Sequence, residues 1–235
     1  MCGRFTLTAD SLAMVTAAQQ LAETLFAGVP HRPRYNIAPT QEHPIVRAGG
    51  EDQVADTARW GLVNSWATDA KRAGRQINAR SETVATSRAY ARSFKRRRCV
   101  VPADGWYEWS GPRDARQPHW IHHADREPFF FAGLYEIWHP TPEQAQTTFT
   151  ILTTDANDTL AAIHQRMPVV MPVDRLDDWL DPTAQDMDAL SALLVAAPND
   201  AFISVPVSPR VNSVRNDDSS LLQPHEQPSF DRLLQ

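Results

Sequence analysis

The sequence predicts an α+β fold, a single domain built on a curved, barrel-like antiparallel β-sheet with flanking helices. Three observations carry this expectation. A chain of 235 residues that is 42% hydrophobic can bury one sizeable core, and no linker divides it. From Cys99 onward, short runs rich in Val, Ile, Phe, Tyr and Trp alternate with Gly, Pro and Asp turns, the pattern of strands joined by hairpins. No internal repeat or low-complexity tract interrupts that pattern. The domain is expected over residues 1–222, with a polar tail at 223–235.

In chain order, residues 3–6 suggest an opening strand. Residues 10–27 suggest a helix with Leu12, Val15 and Leu25 among its apolar positions and Gly28 as its stop. The proline-rich stretch 30–41 follows as an ordered but irregular loop, carrying Tyr35-Asn36-Ile37-Ala38-Pro39-Thr40-Gln41. Strands are expected at 44–47 and 54–62, then a basic helix over 82–95 with Ser81 as its cap. Further strands fall at 99–101, 106–109, 119–122, 129–137 and 148–152, for which antiparallel pairing is the natural arrangement. Short helices are expected at 157–163, 174–180 and 184–194, and a last strand at 203–207.

The net charge of −5 argues against a polyanionic partner, but the average hides an asymmetry. Between Lys71 and Arg98 ten Lys and Arg residues face the single acid Glu82, a local charge of +9 that leaves −14 for the remainder. Two cysteines, Cys2 and Cys99, are too few for a disulfide framework or a structural zinc site, so neither metal nor cofactor is expected. The opening Met1-Cys2-Gly3-Arg4-Phe5-Thr6 lacks a signal-peptide core, and no run approaches the roughly 20 apolar residues of a membrane helix. The expectation is a soluble, cytoplasmic monomer.

Cys2 carries the most chemistry. Removal of Met1 leaves an α-amine and a thiol on one residue; the amine, with a reference pKa of about 7.7–8.0, can condense with an aldehyde. The thiol can then close a five-membered thiazolidine, an intramolecular step with a high effective molarity. The plainer alternative is a small buried hydrophobe. Glu108 lies on the same strand face as Trp106; buried there it would have a raised pKa and could shuttle protons, or it simply pairs with an arginine. His164, just ahead of Gln165-Arg166-Met167-Pro168, suits a general acid, a base or a cap. Asn78 either orients a substrate or shapes its loop. Arg4, Arg80 and Arg166 lie within a few residues of these groups, and Trp60 and Trp106 could stack on unpaired bases. For the tryptophans the alternative is core packing, and for the Lys95–Arg98 run it is a solvated helix end.

These residues together resemble the SOS response-associated peptidase family, also called abasic site processing proteins. The resemblance runs through Met1-Cys2-Gly3-Arg4-Phe5, Tyr35-Asn36-Ile37-Ala38-Pro39, Trp60-Gly61-Leu62, Asn78-Ala79-Arg80-Ser81-Glu82-Thr83, Ala103-Asp104-Gly105-Trp106-Tyr107-Glu108-Trp109 and His164-Gln165-Arg166-Met167-Pro168. It implies that Cys2 becomes the N-terminus and forms a thiazolidine with the ring-opened sugar aldehyde of an abasic site in single-stranded DNA. It implies loss of Met1 by autoproteolysis, which a housekeeping aminopeptidase accepting a small second residue such as Cys could equally perform, and an enzyme with lyase-type and peptidase chemistry. It further implies catalytic roles for Cys2, Asn78, Glu108 and His164: Glu108 for proton transfers, His164 on the sugar hydroxyl or in reversal, Asn78 holding the N-terminal residue. Arg4, Arg80 and Arg166 would bind phosphates, Trp60 and Trp106 bases, and Asn36 and Pro39 would join the DNA-binding set. Asn64 departs from a proline common in the family. Two rival readings stay open, a thiol peptidase acting in trans and a non-covalent single-strand binder.

Overall fold

The computed structural model describes residues 2–8, 32–50, 53–71 and 75–225. The helix expected over 10–27 lies outside them. Two sheets organise the described chain. One contains β1 (Phe5–Leu7), β2 (Arg34–Ile37), β7 (Gly105–Ser110), β8 (Gln117–His123) and β13 (Phe202–Pro206), in the order β13-β8-β7-β1-β2, antiparallel throughout. The other is built on β3 (Glu42–Ala48), β4 (Gln53–Trp60), β6 (Arg98–Ala103), β9 (Phe129–Thr141) and β10 (Gln144–Asp155). These pair in the circuit β4-β3-β6-β9-β10 and close it by a parallel contact between β10 and β4, with Phe149 opposite Trp60. The barrel-like expectation therefore holds, and its closing seam is parallel. Three short strands extend the barrel. β5 (Asn78–Arg80) runs parallel to β10, β11 (Arg166–Pro168) runs antiparallel to it, and β12 (Val170–Met171) joins β9.

The strands form where side chains can be buried on both faces. β6 is buried at every position, and Gly133 on β9 lets the barrel tighten, since a Cβ there would meet Cys99 Sγ at 3.0 Å and the Thr150 carbonyl at 3.1 Å. Phe5 joins the two sheets. Its ring packs edge-on against Trp60 at 5.0 Å and Phe131 at 5.9 Å. Burying one such ring contributes about 1.5–3 kcal/mol. Between β6 and β7, Asp104 accepts from the Thr6 hydroxyl and from the Thr8 N–H and hydroxyl, each at 2.5 Å. The next residue must be glycine, because a Cβ on Gly105 would lie 2.2 Å from Trp120 Nε1.

Several elements depart from expectation. The loop at 30–41 contains β2, an edge strand, where flanking prolines cost no ladder hydrogen bond. The helix expected over 82–95 is mostly turns and becomes regular only in α1 (Ala91–Arg96). Thr83, Val84 and Thr86 disfavour helix by β-branching, and the Ser81 N–H is committed to the Thr153 carbonyl. The basic run beyond it is divided: Lys95 and Arg96 are exposed, Arg97 pairs with the buried Glu136, and Arg98 is buried, donating to the carbonyls of Phe94, Lys95 and Trp179. The later helices are α2 (Asp158–Ala161), α3 (Leu176–Leu180) and α4 (Met187–Ala192); Asn157 caps α2 through the Leu160 N–H at 3.0 Å, and Asp186 caps α4.

Candidate active site

The antiparallel register of β1 against β7, Phe5 opposite Trp106 and Thr6 opposite Gly105, carries the segment before β1 along β7 toward Glu108. The Arg4 carbonyl continues that ladder by accepting from the Tyr107 N–H at 3.0 Å. Cys2 is thereby buried completely. From the barrel side, β5 presents Asn78, whose Nδ2 donates to the Cys2 carbonyl at 2.8 Å. The Asn78 Oδ1 is buried and has no hydrogen-bond partner among the described residues. Burial raises the Cys2 thiol far above its ordinary pKa, and the charge of Glu108 raises it further, so the sulfur is a neutral thiol at pH 7.

Glu108 is buried, and burial pushes its carboxyl up to about 7 against the positive charge of the chain terminus. It can therefore hold or release a proton at neutral pH. It lines a narrow crevice with Trp106, Ile163, His164 and Arg166. The His164 Nδ1 lies 3.0 Å from the Arg166 backbone N–H, in the turn that leads from α2 into β11. Burial lowers its pKa, which keeps the imidazole neutral at pH 7. Cys2, Asn78, Glu108 and His164 thus meet where the end of β7 passes the β5–β10–β11 edge of the barrel. Among the described residues no group of three or more His, Cys, Asp or Glu side chains gathers as metal ligands, and no helix is long and apolar enough to cross a membrane.

The model of the SOS response associated peptidase family matches residues 1–214. The chain belongs to this family. It is 35% identical to the abasic site processing protein YoaM of Bacillus subtilis, over 94% of this chain and 97% of that one. It is 32% identical to the abasic site processing protein YedK of Escherichia coli, over 95% and 100%. It is 34% identical to the chicken abasic site processing protein HMCES, over 83% of this chain and 67% of the relative. Among solved structures, a Bacteroides thetaiotaomicron protein superposes with a TM-score of 0.80 at 21% identity, over 96% of this chain and all of that one, which is a likeness of fold.

Within this SOS response associated peptidase chain, the expected DNA-binding residues divide. Trp60 and Trp106 are fully buried, which corrects the expectation that they stack on bases. Trp60 lies 6.2 Å from and parallel to Phe149 and donates its indole N–H to the Ile77 carbonyl; Trp106 packs on Phe129, Phe131 and Phe202. Neither ring has an open face. Asn36 is also buried, its amide donating to the carbonyls of Val211, Ser213 and Asn216, so it closes the fold and is not on a DNA-facing surface. Arg4 donates to Asn36 Oδ1 at 3.0 Å and the Val211 carbonyl at 2.8 Å. Arg166 pairs with Glu82 at 2.5 Å and Asp155 at 2.7 Å. Pro39 is half-buried ahead of Thr40, whose φ of 73° is unusual for a β-branched residue, and Arg80 is exposed beside the site.

The residue that sequence reasoning passed over is Trp66. It is 62% exposed, with the Arg88 guanidinium 5.7 Å from its ring centroid and Arg92 reaching the neighbouring Ser65 hydroxyl at 3.5 Å. Its signal was present: Trp66 follows Gly61 out of the alternating strand, sits among Ser65, Ala67, Thr68 and Asp69, and adjoins the basic segment. An aromatic in a polar loop has no core to explain it.

Proposed function

We propose that the protein captures abasic sites in single-stranded DNA through Cys2 after loss of Met1. One observation carries the reading: a Cys2 held through its carbonyl by Asn78 lies within the electrostatic reach of a buried carboxyl that titrates near neutrality. The freed α-amine attacks the sugar aldehyde, and loss of water gives an imine. The thiol sulfur then adds to the imine carbon as its proton passes to Glu108, and the nitrogen regains a proton from the same carboxyl. Bonds and protons balance without an external reagent, and a thiazolidine results. Neutral His164 faces the sugar as a hydrogen-bonding group for its hydroxyl, and the buried Asn78 Oδ1 can accept from the captured residue. Removal of Met1 is chemistry we assign to the same site.

The strand's route follows Arg80, Trp66, Arg88 and Arg92, exposed cations around an open ring, with Pro39 on the loop at its border. Arg4 and Arg166 hold the scaffold beside the site, Arg4 through Asn36 and Val211 and Arg166 through its ion pairs with Glu82 and Asp155. The acting unit is residues 1–222, as a monomer in the cytoplasm. The test is a single-stranded oligonucleotide with one abasic site, mixed with purified protein and examined by denaturing gel and intact mass. A heat-resistant adduct lacking Met1, absent with Cys2→Ala and with intact DNA, is the expected result. No adduct despite a free Cys2 would overturn the proposal. Equal binding of intact and abasic strands would then favour a non-covalent binder, and turnover of peptides a protease acting in trans.

A further inference from the structure

Beside Glu108 stands a second titratable side chain that the chemistry above does not use. In the β7–β8 hairpin Glu108 is directly opposite His119, so the two side chains share one face of the sheet with Cβ atoms about 4.5–5.5 Å apart. Ser110, two residues along β7, shares that face too, and its hydroxyl lies 2.8 Å from His119 Nε2. This contact anchors the ring at its Nε2. The other nitrogen, Nδ1, is buried and has no hydrogen-bond partner among the described residues. Buried ring nitrogens are normally satisfied, and leaving one without a partner is destabilising. A nitrogen kept this way next to an acid that changes charge has a use at the moment of the change.

We propose that His119 is a positioning residue for Glu108: with the Ser110 hydroxyl donating to Nε2, the Nδ1–H is held ready to donate to the Glu108 carboxylate when that group gives up its proton. The inference rests on the proposed role of Glu108 as the proton carrier. Among the described residues, Cys2 acts electrostatically with Glu108 and His164 and Arg166 share its crevice, with Arg116 of the hairpin acting on His164; the positive charge of the chain terminus also acts on Glu108. Pro206, the neighbour of His119 on β13, carries no charge. His119 would thus add a donor to the carboxylate from the neighbouring strand. No proton leaves His119 in this arrangement; it remains a neutral imidazole, and only the direction of its hydrogen bond matters.

The test compares His119→Phe, which keeps an aromatic ring in the sheet, with His119→Asn, whose side-chain amide returns a donor near the place of Nδ1. Glu108 is followed by carboxyl carbon NMR, assigned with Glu108→Gln, and adduct formation is timed from pH 5.5 to 9. In His119→Phe the Glu108 midpoint rises by about one unit and capture near pH 7 slows by about fivefold, as the ionised fraction falls from about one half to about one tenth. Capture recovers toward pH 9, and His119→Asn restores both midpoint and rate. An unchanged Glu108 midpoint in His119→Phe overturns the inference, as does a His119→Asn variant that titrates like His119→Phe. A midpoint that shifts and is rescued while even the unaltered protein forms no adduct would refute covalent capture and leave the His119–Glu108 pairing standing.

Discussion

Replacing Glu108 by Gln should stabilise the protein, and by an amount that depends on pH. Burial holds the carboxyl up to about 7 against an ordinary value of 4.5. The folded state thus binds the proton more tightly than the unfolded chain. For an acid shifted upward the sign is clear: below about pH 4.5 both states are protonated and the shift has no effect. As pH rises from 4.5 through 7, the unfolded chain ionises first and the fold loses stability. At 1.36 kcal/mol per unit the full shift is worth about 3 kcal/mol, reached by pH 8, with about 1 kcal/mol already present at pH 5. Gln keeps the shape and cannot ionise. Urea unfolding of both proteins at pH 5 and pH 8 should therefore show a stability gap that widens from about 1 to about 3 kcal/mol in favour of Glu108→Gln. Differences between the two proteins cancel every other titrating group to first order. A gap that is the same at both pH values, or that favours Glu108, would refute the argument that this carboxyl is held in an unfavourable environment. The same variant should capture abasic DNA far more slowly, so stability and activity move in opposite directions.

Four further substitutions separate scaffold from surface. Trp66→Ala should leave stability within about 0.5 kcal/mol but weaken single-stranded DNA binding by about 1–3 kcal/mol, measured by fluorescence anisotropy, whereas Trp60→Ala should cost about 3–5 kcal/mol of folding stability. Asn78→Ala leaves the Cys2 carbonyl without its amide donor, so it should lose about 1 kcal/mol in denaturant titration and slow capture without changing the products. Gly105→Ala forces a methyl group to within 2.2 Å of the Trp120 indole nitrogen and should destabilise by about 1–3 kcal/mol, seen as a lowered melting temperature.

The sequence made the barrel strands visible because their apolar runs are long and their turns are marked: β6, β7, β9 and β10 were all expected within a few residues of where they lie. It hid β2 and β5, which are short and flanked by proline or by polar residues, and which pair with strands far along the chain. It overstated the helix at 82–95, where a high count of arginine looked like a helix face but β-branched residues and a commitment to Thr153 hold the chain in turns. The candidate site was legible as separate residues, not as a place. Nothing in the spacing of residues 2, 78, 108 and 164 brings them together, and that meeting depends on β5 lying parallel to β10 and on β1 lying against β7. The tryptophans show the same limit. Trp60 and Trp66 are six positions apart and equally aromatic, and only the positive φ of 118° at Gly61, where β4 ends, separates the ring that fills the core from the ring that faces water.

The hydrogen bonds from Arg4 to the carbonyls of Val211 and Asn212 bear on when the protein can act. During synthesis the first residues leave the ribosome long before the last ones exist. Until the residues around 211 have emerged, Arg4 has no anchor, and until β10 and β11 have emerged Cys2 and Asn78 lack the barrel edge that brings them together. A nascent chain therefore carries its opening residues before the folded site around them exists. The arrangement of Cys2, Asn78, Glu108 and His164 is therefore complete only near the end of translation.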